Sequence, residues 1–417
     1  MDLARTPIGR RLLFGAYYFV EGAPIGFLWW SLPAILRANG LGTGRIGALL
    51  GWLVLPWALK WIWAPLIDRF QGPAWTLRGW IGGAQVGMAL ALLPLLRETD
   101  WLRSDLLIGC LFAHAVFAAT QDAAIDALMI RTTRADERGQ LAGWMQLGML
   151  AGRSLLGGGA LLVLSRVGER ALVIGLLGVV ALGLGLLPLY RAPLSENDGA
   201  ARRRLDFKTH ARSALARPTT WIALAFAALA GAGFEAVGAF AGPLLTERSG
   251  GAAAGATAGA TWLAGRFFLV HAVVGMALGG IVGGRITDRL GARRGTVLAG
   301  ILLGLTILAT AAATEIGSAS GARTLVPWLT ATYTAIGWFT AASYALFMQW
   351  TDARLGATQF SAYMGATNLC ESWSAAAAGR LIPRLGYGVA FGVLATLGLA
   401  ALTLLSLAPR ANGRAHE

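Results

Sequence analysis

The segment GGRITDRLGARR, from Gly283 to Arg294, decides the fold because it sets five charged side chains between two long apolar runs. These runs cover roughly residues 257–286 and 296–314 and consist mainly of Ala, Gly, Leu, Val and Ile. About 20 apolar residues in a helix cross the roughly 30 Å hydrocarbon core of a bilayer. The segment is therefore predicted to be a short charged turn between two transmembrane helices.

The rest of the chain repeats this alternation of apolar runs and short charged connections. Of its 417 residues, 56% are hydrophobic and 13% charged, and the mean hydropathy is +0.60. The twelve runs long enough to span a membrane are roughly 12–36, 45–67, 79–96, 105–130, 139–164, 171–190, 219–245, 257–286, 296–314, 325–350, 357–380 and 387–408. With about 35 residues for each span and its connection, no sizeable soluble domain fits, and a cytosolic enzyme is excluded.

Basic residues are divided unequally between the two sides of the predicted membrane. Connections on one side carry 22 lysines and arginines, and those on the other side carry 10. Because cytoplasmic loops are rich in these residues, both termini and the loop over 191–217 are predicted to be cytoplasmic. The net charge of +14 is thereby explained by topology, and nucleic acid is not expected as a partner. Cys110 and Cys370 fall within spans without disulfide or metal-binding spacing, so no metal or cofactor is predicted.

The longest polar segment divides the chain into two halves. The predicted domains are an N-terminal six-helix bundle over residues 1–190, a cytoplasmic linker over 191–218 and a C-terminal six-helix bundle over 219–417. The halves also resemble each other, since APLIDRF follows the second span and GGRITDRL follows the eighth, with Asp68 and Asp288 in matching places. Internal repeats of this kind are typical of secondary transporters.

The segment GGRITDRLGARR resembles the loop signature of the major facilitator superfamily. In that signature a Gly, an Asp-Arg pair, a second Gly and paired basic residues join the second and third helices of a half. Gly291 suits a tight turn with positive φ. The first-half copy departs from the pattern, because an insertion separates Asp68 and Arg69 from Arg78. The predicted structural and gating residues are Lys60, Asp68, Arg69, Arg78, Asp288, Arg289, Gly291, Arg293 and Arg294.

Three further segments resemble the AmpG-type branch, the peptide and acetyl-CoA transporters. They are LPWALKWIWAPLIDRF over 55–70, RGW over 78–80 and ATQDAAIDA over 119–127. Within that branch the muropeptide permeases tend to be longer, with extra spans. The twelve spans here, and the opening YYFVEGAPIGFLWWSLP over 17–33, look more like the siderophore permeases of the rhizobactin and pyochelin type. The resemblance implies an all-α membrane protein with the major facilitator fold, twelve helices in two pseudo-symmetric six-helix bundles.

Charged residues inside the spans mark the candidate site. Those residues are Glu21, Lys60, Asp122, Asp126, Arg153, Glu235, Arg266 and Glu371. A charge at the centre of a spanning helix costs roughly 2.5 to 3.5 kcal/mol, so each should face a partner or a wet cavity. Asp122 and Asp126, four residues apart, lie on one helical face, and Lys60 lies at a similar depth. A Lys60–Asp122 ion pair is predicted, and the aspartates either brace the helices or include a proton carrier.

The predicted roles divide these residues into two sets. The proton-coupling residues are Asp122, Asp126, Glu21 and Glu371, and the substrate-binding residues are Arg153, Arg266, Glu21, Glu235, Trp30 and Tyr344. Arginine keeps its charge and binds carboxylates bidentately, so Arg153 and Arg266 are expected to attract an anionic solute. Alternatively, these two arginines pair with Glu371 or Glu21.

The sequence therefore predicts a proton-coupled secondary transporter of the bacterial inner membrane that imports an anionic siderophore or a siderophore–metal complex. The alternative within the same mechanism is a muropeptide or peptide permease. A membrane-embedded acyl-transfer enzyme that uses acetyl-CoA is disfavoured, because no close Ser-His-Asp or Cys-His set is visible. The expected partners are a small anionic solute, protons and the lipid bilayer, and the protein is expected to act as a monomer.

Overall fold

All regular secondary structure in the described part of the chain is helical. The computed structural model describes residues 2–70, 75–97, 106–133, 137–191, 215–251, 260–316, 321–351 and 356–408. Twelve long helical stretches lie in these ranges. They are α1 (Pro7–Ala38), α2 (Thr43–Ile62), α3 (Leu77–Arg97), α4 (Leu106–Thr132), α5 (Gly143–Val167), α6 (Glu169–Leu189), α7 (Pro218–Gly250), α8 (Trp262–Leu290), α9 (Ala292–Ile316), α10 (Val326–Trp350), α11 (356–385) and α12 (387–407).

These twelve helices correspond to the twelve predicted spans, although only ten stretches qualify by length and mean hydropathy alone. One difference is that α11 and α12 form a single stretch by that measure, interrupted at Gly386, where φ is 81°. The other is α10, whose four threonines and several tryptophans and tyrosines make it more polar. Hydroxyls of Thr330 and Thr334 donate to the carbonyls four residues earlier, which satisfies them inside the membrane. The domain bounds stay a prediction, and most of the linker (192–214) lies outside the described residues.

Helices of the two halves meet in three pairs. In the first pair, α2 packs along α11, and the Ser372 hydroxyl donates to the Gly51 carbonyl at 2.7 Å. In the second, the Ser154 hydroxyl of α5 donates to the Leu269 carbonyl of α8 at 2.7 Å. In the third, the end of α1 packs against α7. The candidate site lies where these pairs surround the centre of the molecule.

Two local features explain how α1 and α5 come close enough to build that centre. A Cβ atom at Gly26 would lie only 2.5 Å from the Arg153 carbonyl oxygen, so glycine is required for this contact. Both helices also contain a π-helical turn, over residues 27–31 and 154–159. A π turn frees backbone carbonyls from their usual partners. The Ser31 hydroxyl fills this need by donating to the carbonyls of Leu156 at 2.8 Å and Gly157 at 2.5 Å.

Candidate functional site

A cavity of about 70 Å³ lies between the two halves of the molecule. Its lining residues come from α1, α5, α7, α8, α10 and α11, and they are Ile25, Trp29, Trp30, Arg153, Phe234, Glu235, Gly238, Ala239, Met276, Tyr333, Ile336 and Glu371. Sites for drug-sized ligands usually measure about 300–1,000 Å³. The cavity is therefore too small for such a solute in this conformation and must widen to bind one.

The charged groups of the cavity come from both halves. Arg153 of α5 belongs to the first half, whereas Glu235 of α7 and Glu371 of α11 belong to the second. The structure brings together these three residues, which the sequence predicts separately. Among the described residues the Arg153 guanidinium forms no direct ion pair with either glutamate, and its Nε atom has no hydrogen-bond partner. One cation thus faces two carboxyls across the interface without being neutralised by contact.

Aromatic rings form much of the remaining cavity wall. Trp30 is only 4% exposed and stacks on Phe268, with ring centroids 4.9 Å apart and an interplanar angle of 10°. Tyr333 meets the Trp30 ring edge-on at 6.3 Å, and its buried hydroxyl has no hydrogen-bond partner in the described structure. Tyr333 is not among the residues predicted from the sequence. The sequence does contain a pattern that could have identified it, because Tyr333 lies eleven residues before Tyr344 and therefore on the same face of α10.

Two predicted binding residues lie elsewhere. Arg266 is exposed and sits over the Trp262 ring at 5.7 Å, a cation–π contact on α8 outside the cavity lining. The Trp262 ring, four residues earlier on the same helix, gives Arg266 a partner outside the cavity. Tyr344 is half-buried against Phe360, with ring centroids 6.4 Å apart, and also does not line the cavity. The cavity therefore has one arginine where the sequence analysis expects two.

A second charged cluster lies inside the first half, between α1, α2 and α4. The Lys60 ammonium contacts the Asp122 carboxylate directly, which confirms the predicted ion pair. The Tyr18 hydroxyl donates to Asp126 Oδ1 at 2.7 Å. Glu21 is 5% exposed, and its Oε2 atom has no hydrogen-bond partner in the described structure. We call these five residues the lysine cluster, and the group of Arg153, Glu235 and Glu371 the arginine cluster.

The first helix connects the two clusters. Glu21, Ile25 and Trp29 are spaced by four residues and therefore lie on one face of α1. Ile25 and Trp29 line the cavity, whereas Glu21 belongs to the lysine cluster. Four residues of helix rise about 6 Å, so the lysine cluster begins about one turn away from the cavity wall. Tyr18, which the sequence analysis did not select for this role, lies on the same side of α1 three residues before Glu21.

The interface is closed by polar contacts at the end that the sequence predicts to face outside, here called the outer end. Arg37 Nε and Nη2 donate to Glu247 Oε2 at 3.0 and 2.9 Å, so this ion pair joins α1 to α7. The Tyr387 hydroxyl of α12 donates to the same oxygen at 2.9 Å. These residues were not singled out from the sequence, because charges at span ends are ordinary in membrane proteins.

The charged segment between α8 and α9, residues 283–294, has the predicted tight turn at Gly291. Gly291 has a φ of 83°, a conformation that glycine adopts without strain. Arg293 donates to the backbone carbonyls of Ala408, at 3.2 Å, and Leu405, so it ties the loop to the end of α12. The remaining predicted gating residues are placed as follows: Asp288, Arg289 and Arg294 are exposed, Arg78 is half-buried, and the side chains of Asp68 and Arg69 lie outside the described structure.

Comparison with known sequences gives partial matches, and no family model matches the chain. The chain is 29% identical over 148 residues to the anhydromuropeptide permease of Escherichia coli K12, a match that covers 34% of this chain and 29% of that protein. It is 28% identical over 123 residues to the putative transporter AmpG 3 of Rickettsia prowazekii, covering 28% and 29%. An uncharacterized protein of Haemophilus influenzae is 32% identical over 120 residues, covering 28% of each. The matched region therefore spans about 28–29% of the length of each of these three relatives.

Comparison with solved structures covers almost the whole chain. A D-xylose–proton symporter matches with a TM-score of 0.76 and 12% identity, covering 97% of this chain and 98% of that one. A bacterial homologue of the human lysosomal transporter Spinster, solved in an inward-facing and unoccupied conformation, matches with a TM-score of 0.61 and 16% identity, covering 95% and 94%. At such identities the match shows the fold. The chain is thus a multi-pass membrane protein with the predicted major facilitator fold, and its functionally named relatives and these neighbours are permeases, transporters or symporters, not enzymes.

Proposed function

We propose that the protein is a proton-coupled secondary transporter of the bacterial inner membrane that imports a peptide-like solute by alternating access. The observation that supports this proposal most directly is the cavity in which Arg153 faces Glu235 and Glu371 across the two halves. Secondary transporters bind their solutes near the midplane, between repeats that rock against each other. Charges contributed by opposite halves change their separation when the halves rock, which lets solute binding influence the conformation.

The charge of the arginine cluster favours one class of solute. Arg153 binds a carboxylate of the solute, whereas the two glutamates leave room for an amine or for a proton. A solute with both a carboxylate and an amine, such as a peptide or the peptide part of a muropeptide, satisfies all three groups. A polyanionic siderophore would meet two carboxylates and one arginine, and like charges repel. The relatives named as an anhydromuropeptide permease and as a putative AmpG transporter support the peptide alternative, and neither name refers to a siderophore.

The same groups offer a way to couple the solute to protons. A solute carboxylate that occupies the Arg153 guanidinium leaves the nearby glutamates without their cation. An unpaired buried charge is costly, so a proton on one glutamate stabilises the loaded site. Solute and proton then favour the same occupied state, which is the condition for symport.

Alternating access requires the outer end to open. Two contacts join the halves and hold that end closed here: the ion pair of Arg37 and Glu247, and the bond from the Ser154 hydroxyl to the Leu269 carbonyl. Opening must break these contacts and widen the 70 Å³ cavity. These contacts support a conformation in which the end predicted to face outside is shut.

The proposal is tested by uptake into proteoliposomes that hold the purified full chain under an imposed pH gradient. The panel contains an anhydromuropeptide, a tripeptide with free termini, an iron-loaded carboxylate siderophore and the iron-free siderophore. We expect accumulation of the muropeptide or tripeptide that collapses when a protonophore removes the gradient. Accumulation of the siderophore alone would support siderophore import, as the sequence predicts, and contradict a peptide-like solute. No accumulation of any member, from protein that is folded and correctly inserted, would contradict the proposed transport of this solute class.

A further inference from the structure

We propose that Glu21 is the residue of the lysine cluster that carries a proton, and that Tyr18 is a positioning residue that keeps Asp126 from taking that role. The inference rests on the proposed function for its physiological use, since it names a proton carrier of that transport cycle in addition to the glutamates of the arginine cluster. It separates three carboxyls, Glu21, Asp122 and Asp126, to which the sequence assigns the same role.

The hydrogen-bond partners of the three carboxyls differ. Asp122 contacts the Lys60 ammonium directly. Asp126 accepts the Tyr18 hydroxyl at 2.7 Å. Glu21 has one carboxyl oxygen without any partner in the described structure, although only 5% of the residue is exposed. The negative form of Glu21 is therefore the least supported by neighbouring donors.

The charge balance of the cluster points the same way. Three ionised carboxyls and one lysine would leave two uncompensated negative charges inside a membrane span, where each charge is costly. Protonating Asp122 would remove the anion of an ion pair, and protonating Asp126 would weaken a bond to a hydroxyl that already donates. Protonating Glu21 sacrifices neither contact. The new O–H can donate to Asp122, which is among its nearest charged neighbours.

The surroundings of Glu21 supply its charged and titratable neighbours from three helices. They are Tyr18 on α1 itself, Lys60 on α2, and Asp122 and Asp126 on α4. Of the other helices packed along α1, α6 places Gly183 beside Val20, and α5 places the backbone of Arg153 beside Gly26. Protonation of Glu21 therefore changes its electrostatic interactions with one lysine and two aspartates that lie close to it.

Glu21 is also the carboxyl of the lysine cluster that lies on the cavity-lining helix. It lies one turn before Ile25 and two turns before Trp29 on the same face of α1, and both of those residues line the cavity. A change in the charge of Glu21 thus acts on the helix that also carries cavity walls and, at its outer end, Arg37. This location gives a protonation event a direct mechanical connection to the solute site.

Tyr18 determines which carboxyl takes the proton. Its hydroxyl gives Asp126 a donor that Glu21 lacks, which stabilises the ionised form of Asp126. A phenylalanine at this position keeps the ring and removes the donor. We therefore expect the Tyr18→Phe variant to let Asp126 compete with Glu21 for the proton.

The test is infrared difference spectroscopy between acidic and alkaline pH on the full chain reconstituted in lipid, without any solute. A protonated carboxylic acid has a C=O band that a carboxylate lacks, and exchange into D2O shifts that band. The variants are Glu21→Gln, Asp126→Asn, Asp122→Asn and Tyr18→Phe. Glu235 and Glu371 contribute bands of their own, so each variant spectrum is subtracted from the wild-type spectrum.

We expect Glu21→Gln to remove a band with the amplitude of a single carboxyl, and Asp126→Asn to leave that band in place. Tyr18→Phe should add a second component that disappears when combined with Asp126→Asn. Loss of the band in Asp126→Asn or Asp122→Asn, but not in Glu21→Gln, would overturn the assignment. An unchanged Tyr18→Phe spectrum would overturn the positioning role. If Glu21→Gln does not fold, Glu21→Asp keeps the acid and must shift the frequency of the same band.

This measurement is independent of the proposed transport activity. A band assigned to Glu21 in a protein that accumulates no member of the solute panel would leave the proton carrier in place and contradict the transport proposal. Uptake of a panel solute in a protein whose band belongs to another carboxyl would contradict only the present inference.

Discussion

The lysine cluster and the arginine cluster both place one cation among more than one carboxyl, yet their geometries are opposite. In the lysine cluster the cation contacts its carboxylate directly, and all five residues come from helices of the first half. In the arginine cluster the cation comes from one half and the carboxyls from the other, and a cavity lies between them. Charges carried by one bundle keep their separation when the bundles rock, whereas charges carried by two bundles do not. In the proposed cycle the first cluster stores a proton, whereas the second recognises the solute and protonates one of its glutamates when the solute binds.

The largest expected effect is a loss of stability when the lysine cluster is disrupted. Replacing Lys60 by Ala leaves Asp122 buried without its cation, and the loss of one partner of a buried pair costs about 3–5 kcal/mol. We expect the free energy of unfolding, measured by SDS titration in mixed micelles, to fall by about that amount. The Lys60→Ala/Asp122→Ala double variant removes both charges and should lose less than the single variant. A single variant as stable as the wild type would show that the pair does not stabilise the first half.

The next largest expected effect is a loss of uptake when the arginine cluster is disrupted. Arg153→Ala should reduce the uptake of the accepted panel solute about 30-fold or more, because truncating one partner of a buried charge contact costs about 2–5 kcal/mol. Arg153→Lys should recover little of it, since lysine lacks the planar bidentate donor. The matched control is Arg266→Ala, which removes an exposed arginine outside the cavity lining. Equal losses of uptake in both variants would mean that lining the cavity does not distinguish Arg153 from Arg266 in function.

A smaller loss, of solute affinity, is expected when a single hydroxyl is removed from the cavity wall. Tyr333→Phe removes a buried hydroxyl that has no partner in the described structure, so it should weaken solute affinity about tenfold while leaving stability unchanged. The control is Tyr344→Phe on the same face of α10, outside the cavity lining. Binding is measured by the concentration dependence of initial uptake. A loss of stability without loss of affinity would assign the Tyr333 hydroxyl to packing.

The smallest effect concerns the outer end, where the contacts are partly exposed. The side chains of Arg37 and Glu247 are 18% and 32% exposed, and such pairs contribute about 0.2–1 kcal/mol. Arg37→Glu should therefore shift the conformational equilibrium toward the outward-open state by up to about fivefold. Labelling of a cysteine placed in the cavity by an impermeant reagent reports the change. The charge swap Arg37→Glu/Glu247→Arg should restore slow labelling, and failure to do so would assign closure to the contact between the Ser154 hydroxyl and the Leu269 carbonyl.

The sequence predicts much of the fold, because membrane spans follow from a simple physical limit on apolar length. Helix spacing also predicts the Lys60–Asp122 pair, since depth and helical face follow from position within a span. Rotation about the helix axis is harder to predict when both faces of a span are apolar. For this reason Arg266 was assigned to the cavity although it lies over Trp262 on an exposed face. Tyr18 and Tyr333 were missed because their roles depend on which neighbouring helix they meet.

The claim that one cluster is rigid and the other spans a moving interface is tested most directly by spin-label distances. After Cys110 and Cys370 are replaced by alanine, labels are placed at the exposed residues Asn39 and Ser249, which lie in opposite halves at the outer end. A second pair, at Asn39 and Arg166, lies within the first half. We expect the accepted solute and acidic pH to broaden or lengthen the Asn39–Ser249 distance in lipid nanodiscs while the Asn39–Arg166 distance stays constant. A constant Asn39–Ser249 distance, or equal changes in both pairs, would contradict the account.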